Sequence, residues 1–212
     1  TSLGAKERLA LSFRYMKDDP QNNIRVIPPL LRREVTLHEP YSGDYIHGYM
    51  VNAGFSENVM KWHRQHPGIP LRFFWDKWEE EPVKRVDNTL SFYQLDDVEF
   101  LRQMAGCKAY ASTAGFESVC EAMYLGKPIL MVPAHIEQDC NAYDAEKSGA
   151  GIISSDFNLQ QLLEFAKDYH PNRDFVYWVR GAEYTLLNLL ESDSSNYQQV
   201  LFNEMYLVEE FI

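Results

Sequence analysis

The residues that could do chemistry are concentrated in one short stretch, residues 111–128. A short apolar segment ends at Ser112, a turn with Gly115 follows, and apolar residues then recur at helical spacing until Gly126. This order predicts a strand, a tight turn and a helix. The first backbone N–H groups of such a helix have no partner within it, and the helix dipole attracts an anion to them. The stretch therefore predicts a phosphate site, which Gly115 would let a ligand approach closely.

Two polar side chains of this helix extend the predicted chemistry. Ser118 adds a hydroxyl donor, and Glu121 follows on the same helix face, where a carboxylate could accept hydrogen bonds from two neighbouring hydroxyls. A phosphate site beside a diol site indicates a nucleotide. The alternative is a structural turn with a solvated Glu121. It explains these residues equally well when they are taken alone, because strand–glycine–helix units are common in α/β proteins.

Alternating strand and helix patterns surround this stretch. Strands are predicted at residues 45–51, 71–75, 89–95, 109–112, 129–133 and 152–153. Helices are predicted from Ser56 to just before Pro67 and at residues 98–105, 116–125, 140–147 and 159–169. The alternation predicts an α/β fold, with a Rossmann-like doubly wound parallel sheet and helices on both faces.

Helix caps and loops bring the polar residues to one edge of this predicted sheet. Ser56, Asp96 with Asp97, and Asp139 are expected to cap the helices that follow them. Ligands of an open parallel sheet bind at the carboxyl ends of its strands. Three loops with suitable chemistry would converge on one crevice there: residues 53–55, 113–115 and 135–138.

The rest of the chain forms an amino-terminal and a carboxyl-terminal part. Alternating residues at 9–15 favour a strand, although a helix is also open there, and residues 24–27 are a short apolar strand. The polar residues 36–44 predict a linker. Helical spacing returns in the tail, where a last helix is expected after residues 193–195. We therefore expect three parts, residues 1–43, 44–170 and 171–212.

Composition and charge argue against several classes of function. A net charge of −11 without a basic tract argues against binding nucleic acid. No run of about 18 apolar residues predicts a membrane span, so only peripheral association of the full protein with a membrane stays open. The opening residues lack the apolar region of a signal peptide. Cys107, Cys120 and Cys140 have no metal or disulfide spacing, so a reducing, cytoplasmic compartment is predicted, without a metal or a cofactor.

The histidines are ambiguous in the sequence. His135 lies in a predicted carboxyl-end loop, where it could act on a phosphate or in catalysis, or have no mechanistic role. His47 is expected in the core or at a strand edge rather than as a base. His63 and His66 flank a helix end, and surface positions are expected for them rather than metal ligation.

These motifs resemble the nucleotide-sugar signature of GT-B glycosyltransferases, in particular the bacterial lipid II N-acetylglucosaminyltransferases and the UDP-glycosyltransferases. The residues that carry the resemblance are 113–121, 126–128, 132–133, 137–138, 141–142 and 149–151. Asp96 and Asp97 ahead of a helix also resemble the lipid II enzymes. Residues 25–32 resemble the strand and linker that join the two halves of such enzymes, so the likeness covers about residues 24–165.

The resemblance implies a carboxyl-terminal, donor-binding half of a two-domain GT-B enzyme. Residues 1–43 would then be the end of the acceptor domain and the interdomain linker, and most of the amino-terminal acceptor domain would be missing. In such an enzyme Glu121 would hold the ribose hydroxyls, and Gln138, with Glu137 beside it, would face the sugar hydroxyls.

The remaining site residues follow from the same resemblance. The turn at residues 115–118 would hold the diphosphate, the backbone near Leu95 would meet the base edge, and Gly54 would let the first loop approach the phosphates. The donor-binding residues implied are Gly54, Leu95, Thr113, Gly115, Phe116, Ser118, Glu121, Glu137 and Gln138. The catalytic base is expected in the missing domain.

Two residues depart from the family pattern. Plant-type members have His, and the lipid II family Arg, at the position of Thr113, which can donate only a neutral hydrogen bond. The usual Asp of the Asp-Gln pair is Glu137 here, and its longer side chain shifts the carboxylate by about one bond. Phosphate affinity, donor choice and the sugar contact are the properties that these departures affect.

We therefore expect a metal-independent hexosyltransferase that moves a sugar from a nucleotide diphosphate donor, UDP above all, to an unknown acceptor. The isolated chain is expected to bind donor weakly and to be inactive. Two alternatives stay open. One is a nucleotide-sugar 2-epimerase of the same architecture, and the other is a non-catalytic nucleotide-binding or interaction module.

Overall fold

The computed structural model describes residues 4–5, 7–77 and 81–191. The chain divides into two compact units. One runs from Arg32 to Asn172, and the other combines the described residues up to Leu31 with those from Arg173 onwards. This division is a structural one, and the assignment of an acceptor part and a donor part to the chain stays a prediction.

The larger unit is built on a seven-stranded sheet. Its strands are β3 (Ile46–Met50), β4 (Leu71–Trp75), β5 (Val83–Arg85), β6 (Leu90–Gln94), β7 (Ala109–Ser112), β8 (Ile129–Met131) and β9 (Gly151–Ile153). Their order across the sheet is β5-β6-β4-β3-β7-β8-β9. All neighbours are parallel except β5, which pairs antiparallel with β6. The order runs outwards in both directions from β3, as in a doubly wound sheet.

Helices connect these strands. They are α1 (Arg33–Thr36), α2 (Ser56–Gln65), α3 (Asp97–Gly106), α4 (Phe116–Tyr124), α5 (Ile136–Lys147) and α6 (Leu159–Phe165). Two of them end or begin as the sequence predicts. The Asp96 side chain accepts a hydrogen bond from the Glu99 N–H at 2.8 Å and caps α3. Gly126, in the left-handed conformation with φ 66°, follows the end of α4.

The sheet has a buried side chain layer on each face. On one face Ile46, Phe73 and Phe92 pack in a core that includes residues of α2 and α6. On the other face His47 and Tyr110 contact the ring of Phe100, which belongs to α3. Side chains of successive strand residues point to opposite faces, so Ile46 and His47 serve different layers. The predicted α/β fold with helices on both faces is therefore confirmed.

Several local predictions were wrong. Ser56 is the first residue of α2 rather than its cap, because a short 3-10 turn, Ala53–Phe55, precedes the helix. Asp139 does not start α5 either, since the helix begins at Ile136 with His135 in the capping position. The predicted charged loop after β4 contains the edge strand β5, so the sheet is mixed rather than wholly parallel.

Residues 36–44, predicted as a linker, belong to the larger unit and are hydrogen-bonded to the end of α3. The N–H groups of Tyr41 and Gly43 donate hydrogen bonds to the carbonyl oxygens of Ala105 and Gly106 at the end of α3, both at 3.0 Å. The buried Lys127 Nζ donates to the carbonyls of Tyr41 at 2.7 Å and Cys107 at 3.0 Å. These bonds fix the chain that leads into β3.

The smaller unit contains a parallel pair of strands, β1 (Arg8–Leu11) and β2 (Ile24–Ile27), and the helices α7 (Arg173–Arg180) and α8 (Ala182–Glu191). The strand favoured near residues 9–15 is thus present, although it is shorter. Trp178 of α7 donates its indole N–H to the carbonyl of Ser12 at 3.0 Å. The last predicted helix, after residues 193–195, lies outside the described residues.

Candidate functional site

The loops that follow β3, β7 and β8 lie at one edge of the sheet. These three strands are parallel neighbours, so their carboxyl ends and the loops after them are adjacent. One hydrogen bond joins the loop after β7 to α5 directly, because Asn141 Nδ2 of α5 donates to the carbonyl of Ala114 at 3.3 Å. The edge therefore brings together the first turns of α4 and α5, which is the region predicted to bind a ligand.

The amino end of α4 is open to an anion. Its capping residue is Gly115, which has no side chain to accept a hydrogen bond from the first turn of the helix. A Cβ atom built at Gly115 would meet only the Ser118 Oγ, at an ordinary 3.7 Å. The fold itself leaves room for a larger residue, so the glycine is best explained by a ligand that approaches this backbone.

The turn before α4 is conformationally strained. Ala114 has φ 61°, a left-handed conformation that is unfavourable for a residue with a Cβ, by about 1 to 3 kcal/mol. Its N–H donates to the Ser112 Oγ at 3.1 Å. Beside it, the Thr113 Oγ1 is buried and has no hydrogen-bond partner among the described residues. A strained turn beside a buried, unpartnered hydroxyl is a combination found at binding sites.

The Ser118 side chain is hydrogen-bonded to the backbone of its own turn. Its hydroxyl donates to the carbonyl of Gly115 at 3.2 Å, so its proton does not point towards a ligand. Its oxygen still has lone pairs, but those accept hydrogen bonds and do not bind a phosphate. The groups of this turn that can donate to a phosphate are therefore the backbone N–H groups rather than this hydroxyl.

Glu121 is buried and is held by an arginine. Arg32 Nε donates to Glu121 Oε1 at 2.5 Å and Arg32 Nη2 donates to Oε2 at 3.1 Å. Both carboxylate oxygens are thus engaged in a bidentate pair, the strong geometry for an arginine and a carboxylate. Arg32 Nη1 also lies 3.5 Å from Asp97 Oδ1, at the start of α3. The residue predicted for ribose hydroxyls therefore has a cationic partner that the sequence did not reveal.

The electrostatics of this pair follow from its burial. Desolvation raises the pKa of Glu121, and the hydrogen bonds and charge of Arg32 act against that rise. The pKa of Arg32 is raised although burial opposes its charge, because Glu121 and Asp97 stabilise the guanidinium. Without the arginine, Glu121 would be a buried carboxylate without a counter-charge.

The two residues predicted to face the sugar belong to a helix and not to a loop. Glu137 and Gln138 lie in the first turn of α5, which follows from the early start of that helix. Gln138 is buried, and its Oε1 accepts a hydrogen bond from the Ala134 N–H at 2.8 Å. Glu137 is exposed. Gln138 therefore fixes the loop after β8, while Glu137 is accessible to a ligand.

The other predicted residues are spread along the same edge. Phe116, half-buried, is the first residue of α4. Gly54 lies in the short turn before α2, where its N–H donates to the Asn52 Oδ1 at 2.8 Å. Leu95 follows β6, which is separated from β7 by β4 and β3. At the usual strand spacing Leu95 lies about 14 Å along the edge from Thr113.

Histidines contribute little to this edge. His135 is exposed in the capping position of α5 and its side chain caps no backbone group there. His47 is fully buried among aromatic rings, as expected. His63 contradicts its prediction, since it is buried and its Nε2 pairs with Asp87 Oδ2 at 2.8 Å. It lies near the end of α2, away from the carboxyl edge.

Two kinds of feature are absent from the described part of the chain. No group of three or more His, Cys, Asp or Glu side chains there could hold a metal ion. No helix within the same residues has the length and apolar content needed to cross a membrane.

Arg32 is the residue at this site that the sequence did not predict. It lies 89 positions before Glu121, at the end of the stretch that resembles an interdomain linker. No periodicity or motif relates two residues at that separation. Only the tertiary structure of the larger unit, to which both residues belong, brings them together.

Known proteins resemble this chain in sequence. The sequence model of glycosyl transferase family 1 matches residues 4–169. The chain is 26% identical over 105 residues to a Caenorhabditis elegans protein named "Putative UDP-glucuronosyltransferase ugt-48", a stretch that covers 49% of this chain and 20% of that protein.

Solved structures share the fold. The kitacinnamycin glycotransferase aligns with a TM-score of 0.57 and 14% identity, covering 81% of this chain and 49% of its own. Arabidopsis thaliana UGT89C1, complexed with UDP-L-rhamnose, aligns with a TM-score of 0.50 and 16% identity, covering 88% and 50%. The chain thus spans about half the length of these structures.

Proposed function

Because the chain belongs to glycosyl transferase family 1, we propose that its larger unit binds the nucleotide-sugar donor of a sugar-transfer reaction. The observation that carries this proposal is the open amino end of α4, with Gly115 where the fold needs no glycine. A family of transferases supports sugar transfer rather than epimerisation or a non-catalytic module.

The chemistry of the leaving group suits this site. Breaking the bond between the sugar and a diphosphate leaves negative charge on the diphosphate. Fixed N–H dipoles aimed at that charge stabilise the transition state more than the ground state. The first-turn N–H groups of α4 and the buried Thr113 hydroxyl would supply this stabilisation without a metal ion.

The donor is proposed to carry UDP. The names of ugt-48 and of the UGT89C1 complex both refer to UDP-linked sugars. Glu121 would hold the ribose hydroxyls, the backbone near Leu95 would meet the base, and Gly54 would approach the phosphates. Glu137 and Gln138 would face the sugar, Glu137 through its exposed carboxylate and Gln138 through its amide nitrogen.

The rest of the reaction would come from outside this chain. The acceptor site and the base that deprotonates the acceptor are assigned to an amino-terminal domain, since the chain spans about half of the structures it aligns with. We place the reaction in the cytoplasm because Cys107, Cys120 and Cys140 are all free thiols.

The test is calorimetric titration of the chain with UDP, repeated with Glu121→Gln. The variant keeps the shape of the side chain but lacks the charge that two ribose hydroxyls would stabilise, so we expect UDP affinity to fall by about 10-fold or more. Backbone amide resonances of residues 116–118 should shift on UDP addition in the wild type, since these groups would face the diphosphate.

Glu117→Gln is the matched control. Glu117 lies on the same helix, carries the same charge and is exposed, so its replacement should leave UDP affinity within about twofold. Absence of UDP binding by the wild type would overturn the proposal. Equal losses in the two variants would mean that general charge on α4, rather than contact between Glu121 and the ribose, controls affinity.

A further inference from the structure

The carboxylate proposed for the ribose is already occupied. Arg32 engages both of its oxygens, Nε on Oε1 and Nη2 on Oε2. A ribose diol would present two O–H donors to the same two oxygens. Glu121 is buried, so little space around it is open to a second set of donors. The guanidinium and the diol therefore compete for one acceptor.

We propose that Arg32 is a specificity-determining residue of the donor site, which occupies Glu121 before the donor binds and is replaced there by the ribose hydroxyls. This inference rests on the proposed function. Its consequence concerns ligand choice. Each hydroxyl that binds Glu121 must displace an arginine N–H, so the net gain from the hydroxyls is smaller than an unpaired carboxylate would give.

The structure provides a second partner for the displaced arginine. Asp97 Oδ1 lies 3.5 Å from Arg32 Nη1, and the Asp97 side chain is 81% exposed. The Arg32 side chain is itself 32% exposed, so its guanidinium can reach water from its present position. Release from Glu121 therefore leaves the cation hydrated and beside a carboxylate, and not stranded in the interior.

The ligands that test this inference differ only in the diol. We would titrate the 212-residue chain with UDP and with 2′,3′-dideoxy-UDP, and compare the ratio of the two dissociation constants in the wild type, Arg32→Ala and Arg33→Ala. The titrations are done at about pH 8 rather than in acid, because burial raises the pKa of Glu121 and a low pH would favour its protonated form. Arg33 is the next residue and is exposed, which makes it the matched control.

We expect the wild type and Arg33→Ala to prefer UDP by about 10-fold, in line with the loss expected for Glu121→Gln. In Arg32→Ala the carboxylate has lost its competitor, so the preference for UDP should rise by about fivefold or more. An unchanged ratio would overturn the inference. A ratio that falls in Arg32→Ala would also overturn it, because Arg32 would then orient Glu121 for the diol instead of occupying it.

The failures of the two proposals can be told apart. If neither nucleotide binds to any of the proteins, the proposed function fails and this inference falls with it. If both nucleotides bind and the ratio of their dissociation constants is the same in all three proteins, only the role of Arg32 is wrong. The Nε–H resonance of Arg32 in the wild type gives a readout that needs no Arg32 variant. UDP should move it towards its position in ligand-free Glu121→Gln, and an unmoved resonance on UDP binding would contradict displacement.

Discussion

His47 is a neutral imidazole in an aromatic layer of the sheet. Its ring centroid lies 4.8 Å from that of Phe100 and 5.3 Å from those of Phe74 and Tyr110. The ring is fully buried, and neither nitrogen has a hydrogen-bond partner among the described residues. Burial lowers the pKa of His47 to about 3. This histidine is therefore a packing residue that folding keeps uncharged.

The lowered pKa predicts a specific acid sensitivity. An unfolded histidine has a pKa of about 6.5, so between that pH and about 3 the unfolded chain binds more protons than the folded one. Stability should fall as the pH falls through this window. In His47→Phe we expect the loss between pH 6.5 and 4.5 to be about 2 to 3 kcal/mol smaller, measured by urea unfolding at each pH.

His170→Phe is the control for this prediction, because His170 is exposed. Its acid sensitivity should match that of the wild type. If His47→Phe and the wild type lose stability in parallel, His47 does not control the acid response. The explanation by burial would then be wrong.

Single site residues were only partly predictable from the sequence. Glu121 could be placed because it follows the turn at Gly115 by a helical spacing that sequence periodicity shows. Its partner Arg32 could not, because it lies 89 positions away and meets Glu121 only through tertiary contact. The strain at Ala114 was hidden as well, since an alanine does not mark a left-handed conformation.

Lys127 ties two elements together. It lies between α4 and β8, and its buried Nζ donates to the carbonyls of Tyr41 in the predicted linker and Cys107 after α3. Burial lowers the pKa of Lys127, while the two carbonyl partners accept two of the three N–H groups of its charged form. Lys127, one of the residues that carry the family resemblance, therefore fixes the chain segment that leads into β3.

Removal of this amine should be strongly destabilising. Lys127→Met keeps the length of the side chain but leaves the carbonyls of Tyr41 and Cys107 without their donor. We expect the free energy of unfolding to fall by about 2 to 4 kcal/mol, measured with urea. Lys108→Met, at an exposed position, should change it by less than about 0.5 kcal/mol. Equal effects of both changes would show that the two hydrogen bonds contribute little.

Element types were easier to predict than element ends. Strands β4 and β7 and the starts of α3 and α4 agree with the sequence because apolar runs and the Asp96 cap mark them. The start of α5 was misplaced because Asp139 looks like a cap, while Glu137 is equally favourable in a first helical turn. Strand β5 was missed because its residues are all exposed and show no apolar pattern.

The chain spans about half the length of the structures it aligns with, which bears on activity. A site that binds a donor diphosphate can stabilise the leaving group, but transfer also needs an acceptor and a base. We therefore predict that the isolated chain binds UDP and releases no UDP from UDP-glucose above the uncatalysed rate. A coupled assay for UDP measures this. Turnover by the isolated chain would contradict the assignment of the base to another domain.

The two outermost strands of the large sheet limit how it can meet other proteins. Strands β5 and β9 have three residues each, and β5 carries the basic residues Lys84 and Arg85. An extended polypeptide that docked alongside either border would gain few main-chain bonds, and at β5 would meet positive charge. Both borders therefore oppose fibre-like self-association, which favours solubility of a chain rich in aromatic strands.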